Sequence, residues 1–201
     1  YLDGDQTDAN ILLGIKGEFD SGMLDDFSYN CGKNELDYFL NNTVNPSLGP
    51  GDLQYVPQMG FDVGAIAQTE VTLNADFSLP MNDRVNLAFG AEAREEKYTI
   101  TPGEPNSYFG SGSSGFKGYT PGNSGEFERD NIAFYADIEH DVSDAFLLQY
   151  AARYENFSDF GSTLNGKVAA RFRVSDAIAL RGAVSTGFHA PTPAQINVSN
   201  T

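Results

Sequence analysis

The sequence predicts an all-β protein: a segment of an antiparallel transmembrane β-barrel, about eight up-and-down strands with short periplasmic turns and long extracellular loops. Three observations predict it. The first is strict alternation, cleanest where Ala67, Thr69, Val71, Leu73, Ala75, Phe77 and Leu79 oppose Gln68, Glu70, Thr72, Asn74, Asp76 and Ser78. A period of two is what a strand with one apolar face produces. The second is a tetrapeptide that occurs twice, Val142-Ser143-Asp144-Ala145 and Val174-Ser175-Asp176-Ala177, 32 residues apart, each flanked by alternating runs. Short Ser-Asp turns between such runs make antiparallel hairpins. The third is the rhythm of connections. Short turns fall near 20–22, 80–84, 142–145 and 175–177, and longer loops near 33–62, 100–128 and 156–162. Alternating short and long links put all turns at one end of a sheet and all loops at the other, the layout of membrane-spanning barrels.

In chain order, Tyr1–Asn10 reads as an acidic, solvated lead-in. Its Asp3, Asp5 and Asp8 lack the glycine and terminal glutamate of a calcium loop. Ile11, Leu13, Ile15 and Phe19, alternating with Lys16 and Glu18, give the first strand. Asp20-Ser21-Gly22 turns the chain into a weaker second strand marked by Phe27, Tyr29 and Cys31. With no neighbouring cation to lower its pKa, Cys31 reads as a small apolar face residue. After the connection 33–62, the strand at 67–79 runs to about 13 residues, beyond the usual five or six of globular proteins. Pro80–Arg84 returns the chain through Val85, Leu87, Phe89, Ala91 and Ala93. The Gly/Ser-rich stretch 100–128 leads to Ile132, Phe134, Ala136 and Ile138 on one parity. The next run, Phe146 to Tyr154, also fits a helical stripe. Its neighbours 164–174 and 178–188 keep strict parity with charge on the polar side alone, so the run is assigned as a strand.

Cost decides which face meets lipid. An Arg or Lys at mid-depth on the lipid side costs about 2–4 kcal/mol. Lys16, Arg94, Arg153, Lys167, Arg171, Arg173 and Arg181 all share the polar parity, which is therefore assigned to a wet or plugged lumen. A soluble sandwich gives the same alternation with the polar face in solvent; strand length and loop rhythm favour the barrel. Tyr98 and Tyr154 are placed in the interfacial aromatic girdle.

The balance of 28 acidic to 12 basic residues, a net charge of −16, argues against nucleic acid or an anionic membrane surface as partner. A single cysteine excludes an internal disulfide and a cysteine-cluster metal site. No apolar run reaches the roughly 18 residues of a transmembrane helix, and no signal peptide opens the chain. With Tyr1 at one end and Asn200-Thr201 at the other, the sequence reads as a fragment or processed piece.

Catalytic signals are poor, and the chain is not expected to be an enzyme or to carry a cofactor or metal. Gly110-Ser111-Gly112-Ser113-Ser114-Gly115 matches G-x-G-x-x-G, but Gly118 and Pro121 follow where a dinucleotide needs a helix N-terminus. His140 and His189 fall at opposite ends of the strand layout, and no G-x-S-x-G occurs. Asn41-Asn42-Thr43 and Asn197-Val198-Ser199 match a glycosylation sequon, which has little force in a bacterial setting. The candidate ligand-binding residues are the aromatics of the 100–128 loop: Tyr108, Phe109, Phe116, Tyr119 and Phe127. Aromatics on an external loop suit stacking against a sugar or an aromatic chelate. The plainer and favoured reading is that they pack the loop or sit in the girdle.

Gly187-Phe188-His189-Ala190-Pro191, at the end of the strand from Leu180 to Thr186, resembles the barrel of TonB-dependent outer-membrane receptors, with His189 where that family usually has Arg. Asn42-Thr43-Val44-Asn45-Pro46-Ser47-Leu48-Gly49-Pro50, Phe89-Gly90-Ala91-Glu92 and Arg153–Gly161 are similar to a subgroup of the family. The resemblance implies a barrel of 22 strands with a plugged lumen, of which residues 1–201 are a partial barrel domain from the middle. The plug, the TonB box and the closing strand are not in this sequence. The implied function is energised uptake of a scarce nutrient, such as a siderophore-iron complex, corrin or glycan, across the bacterial cell outer membrane. Its implied partners are outer-membrane lipid, the small nutrient ligand and the TonB energy-coupling complex, engaged through the absent N-terminal plug. Two alternatives stand beside it: a self-contained eight-stranded structural or adhesive barrel, and a soluble secreted carbohydrate-binding β-protein.

Overall fold

The computed structural model describes residues 1–49 and 57–198. Residues 50–56, inside the expected 33–62 connection and including Pro50, and 199–201, which include the second sequon's serine and the chain end, lie outside the described residues.

Eight strands form one sheet in sequence order, each antiparallel to the next. They are β1 (Leu2–Glu18), β2 (Leu24–Asn41), β3 (Gly60–Asn82), β4 (Val85–Pro102), β5 (Gly125–Ser143), β6 (Phe146–Phe157), β7 (Gly161–Ser175) and β8 (Ile178–Ser185). Two short helices, α1 (Pro105–Tyr108) and α2 (Pro193–Asn197), lie in the connection after β4 and in the segment after β8. Among the described residues β1 pairs with β2 alone and β8 with β7 alone, so the sheet is open at both edges.

Residues paired across an antiparallel ladder share a face, so the register sorts every side chain. One row reads Ile15, Phe27, Ala75, Ala91, Phe134, Tyr154, Leu164 across seven strands. The adjacent row on the other face reads Lys16, Asp26, Asp76, Gly90, Tyr135, Arg153, Asn165. The first face is apolar and open: Ile15 is 69% exposed, Leu164 73% and Val184 80%. Cys31 lies on it, between Ile11 and Val71, and so does His140, between Val85 and Leu148. Outward apolar residues run from Ile132 to Val142 on β5 and from Leu164 to Val174 on β7. Ten steps of about 3.3 Å at a tilt near 40° give a band about 25 Å tall, the height of the apolar belt of outer-membrane barrels.

The strands extend past that belt, and here the structure departs from the sequence reading. The acidic lead-in is strand: residues 2–10 pair with residues 32–40 of β2. The connection expected at 33–62 shrinks to 42–59, because β2 continues to Asn41 and β3 begins at Gly60. The expected loop 156–162 is three residues, 158–160. Past the belt the outward positions turn polar, Glu35, Asp37 and Glu128 among them, so alternation no longer marks the strand. Tyr98 is not a girdle residue. It pairs with Gln68 and Phe127 on the inner face and is 4% exposed.

A close approach fixes the inner row at Gly90. A Cβ there would meet Asp76 Oδ1 at 2.5 Å, Tyr135 Cε1 at 2.6 Å and Ala75 O at 2.7 Å. The bare glycine lets the Tyr135 ring lie across β4, where its hydroxyl donates to Asp76 Oδ1 at 2.6 Å.

Candidate functional site

The tight turns 19–23, 83–84, 144–145 and 176–177 close one end of the sheet, and the connections 42–59, 103–124 and 158–160 gather at the other. At that second end the loops fold onto the inner face. Leu40, Phe61 and Val63 form a buried cluster, against which Tyr38 and Phe116 pack.

The two long connections are bonded to each other. Asn45, 3% exposed, donates from Nδ2 to the carbonyls of Asn106 (2.8 Å) and Phe109 (2.9 Å) and accepts from the Ser47 amide at Oδ1 (2.9 Å). Ser47 Oγ accepts from the Ser111 amide, and the Ser114 amide donates to Val44 O. Ser107, fully buried, accepts at its carbonyl from the amides of Ser113 and Gly118. The Tyr119 amide donates to Val63 O and its carbonyl accepts from Gly103, which pins the loop to the top of β3. The stretch that matches G-x-G-x-x-G is thus a compact loop segment bound to its neighbour.

The five loop aromatics do not form one surface. Phe116 stacks on Tyr38 at 5.9 Å and meets Tyr119 edge-on at 5.6 Å, so these two build the loop's own core. Burial and the nearby Tyr38 raise the Tyr119 phenol above its usual 10.0. Phe127 belongs to the wall, opposite Tyr98 on the inner face of β5. Tyr108 ends α1 half-buried, and Phe109, the next residue, is 59% exposed.

The inner wall below carries a charge network. Glu92 Oε1 accepts from Arg94 (2.7 Å) and Arg153 (3.2 Å), and Arg153 also reaches Glu155 at 3.1 Å. All seven cations assigned to the polar parity lie on this face. One group escaped the sequence reading. Arg129, its side chain 2% exposed, donates to Asp159 Oδ2 from Nε (2.8 Å) and Nη2 (2.6 Å), and to the Pro191 carbonyl from Nη1 (2.7 Å). Glu96 lies 3.6 Å away, and the Phe160 ring centre is 5.4 Å from the guanidinium carbon. A charge-flanked arginine on a strand carries no local signal of such a role, because its partners come from 30 and 62 residues away.

Among the described residues no group of three or more His, Cys, Asp or Glu side chains is placed to hold a metal, and no helix is long and apolar enough to cross a membrane. A β-barrel crosses with strands and needs no such helix.

The sequence matches, over residues 1–201, the family model described as TonB dependent receptor-like, beta-barrel. No curated protein sequence matches it. In shape the chain is similar to the siderophore receptor PirA from Acinetobacter baumannii, with a TM-score of 0.67 and 15% identity over 94% of this chain and 26% of that one. It is also similar to a mutant of the ferric enterobactin receptor PfeA from Pseudomonas aeruginosa, with a TM-score of 0.70 and 15% identity over 96% of this chain and 27% of the other. A PfeA mutant in complex with enterobactin gives 0.69 and 14% identity, over 94% of this chain and 26% of that one. Identities this low carry the fold alone. The chain spans about a quarter of the length of these structures.

Proposed function

We propose, for a chain that belongs to the TonB dependent receptor-like β-barrel family, that it forms part of the wall and mouth of a bacterial outer-membrane receptor that takes up a scarce nutrient. One observation carries this reading. A belt about 25 Å tall with an open apolar outer face backs onto an inner face of paired charges, and the long loops close over the inner side. A soluble sandwich would bury the apolar face, whereas here it holds the most exposed hydrophobic residues of the sheet. A self-contained eight-stranded barrel needs a ladder between β8 and β1, and the described residues hold none.

In this reading the role is transport rather than catalysis, lipid covers the outer belt, and the complete protein engages TonB. The nutrient is a siderophore-iron complex, a corrin or a glycan; the likeness in shape to siderophore and ferric enterobactin receptors favours the first. Phe109 and Tyr108, at the tip of the loop, supply the ligand contacts. Phe116 and Tyr119 hold the loop, and Phe127 lines the mouth below.

Deletion of the gene should abolish growth on at least one ferric chelate, corrin or glycan supplied as the limiting source, and normal growth on all of them would sink the proposal. In the full-length receptor, Phe109→Ala should weaken binding of that nutrient roughly two- to tenfold, the worth of one aromatic stack, with assembly unchanged.

A further inference from the structure

On the inner wall near the loop end, two sets of polar groups act in opposite directions. Arg94 and Asn131 face each other directly across the β4–β5 ladder. Asn131 is 2% exposed, yet neither of its amide atoms has a hydrogen-bond partner, and neither does the buried Nε of Arg94. Enclosed polar groups without partners disfavour the arrangement that encloses them.

The segment after β8 lies over this stretch. Arg129, two residues from Asn131 on the same face, donates to Pro191 O, and α2 packs against β4 and β5 with Pro193 buried. Thr186 is tied to Gly166 of β7 by hydrogen bonds in both directions. Beyond it, among the described residues, the Arg129–Pro191 bond is the one hydrogen bond joining residues 187–198 to the wall. Phe188 adds ring contacts with Phe160 (5.4 Å) and Phe157 (6.4 Å). The segment keeps its other bonds to itself: Thr192 and Gln195 cap α2 reciprocally, and Asn197 Nδ2 donates to Pro193 O. Gly187 has nothing within reach of a Cβ.

We propose that residues 187–198 form a strap, hinged at Thr186-Gly187, which Arg129 latches over the inner wall and whose lifting opens the Asn131 amide to the lumen. The latch bonds favour the closed strap and the enclosed, unpartnered amide of Asn131 favours the open one, so the element is poised between two states. α2 travels as a unit because its internal bonds survive the motion. The inference rests on the reading that the inner face lines an aqueous lumen.

The test uses the full-length protein in native outer membranes, with Cys31→Ser to remove the free thiol and Asn131→Cys as reporter. Labelling by a water-soluble maleimide should be slow with the latch intact. Adding Arg129→Met should speed it roughly ten- to hundredfold, the worth of a lost charge-assisted hydrogen bond. Asp159→Asn, which preserves the shape of the 158–160 connection, should speed it in the same direction. Equal labelling with and without the latch variants, in assembled protein, overturns the strap. Failure of the lumen reading shows separately, as labelling of Val184→Cys on the apolar face by the same reagent.

Discussion

Leu73 and Asn74 are neighbours on β3 that face opposite ways, and an arginine at each position isolates the effect of the face. Leu73 is 52% exposed between Tyr29 and Ala93 on the apolar side. It lies two residues from Ala75, the middle of the outward run Val71–Leu79, or about 7 Å along the strand and about 5 Å in depth after tilt. An arginine this close to the midplane should cost about 2–3 kcal/mol, a roughly 30- to 150-fold change in the folding equilibrium. Asn74 sits on the inner side directly opposite Glu92, so Asn74→Arg meets a carboxylate and should stay within about 0.5 kcal/mol of the parent. The assay is urea titration of the full-length protein in phospholipid bilayers, with the folded fraction read from its heat-modifiable gel mobility. If Leu73→Arg and Asn74→Arg unfold at the same urea concentration, the assignment of the apolar face to lipid fails.

Gly90→Ala should destabilise the barrel by about 1–3 kcal/mol, since the carbonyl of Ala75 cannot retreat as a side chain would; an unchanged urea midpoint would refute the close packing of Tyr135 across β4. Asn45→Ala strands the carbonyls of Asn106 and Phe109. It should lower the free energy of opening the 103–124 loop by about 1–3 kcal/mol, seen as faster limited proteolysis there with the strands intact.

What was legible in the sequence follows from where the environment is asymmetric. Between Val71 and Leu79, or Ile132 and Val142, one face is apolar and the other is not, so the parity of each side chain was readable from the residues alone. Above the belt that contrast vanishes. Asp5 and Asp37 pair outward there while Gln6 and Leu36 pair inward, and a polar stretch of strand reads like a solvated tail or loop. Ser158-Asp159-Phe160 misled for a related reason: its composition suits a long loop, whereas its length is set by the β6–β7 register. The parity rule itself, carried up β4 from Ala93, puts Tyr98 inward; the girdle assignment followed residue type instead. The sequence marks the five loop aromatics as candidates, but their division into a packed pair, a wall residue and an exposed tip depends on Tyr38 and Tyr98, which lie outside that loop. The joining of Arg129 to Asp159 and Pro191 was not encoded locally at all.

The open edges bear on how such a wall is made. Along Leu2–Glu18, and again along Ile178–Ser185, half of the backbone amides and carbonyls point away from the sheet. In water they are solvated at no great loss, whereas in hydrocarbon each would cost several kcal/mol. A sheet of this kind cannot thread into a bilayer strand by strand and wait for its neighbours. Entry of the sheet and pairing of its two margins with further strands are therefore one step rather than two.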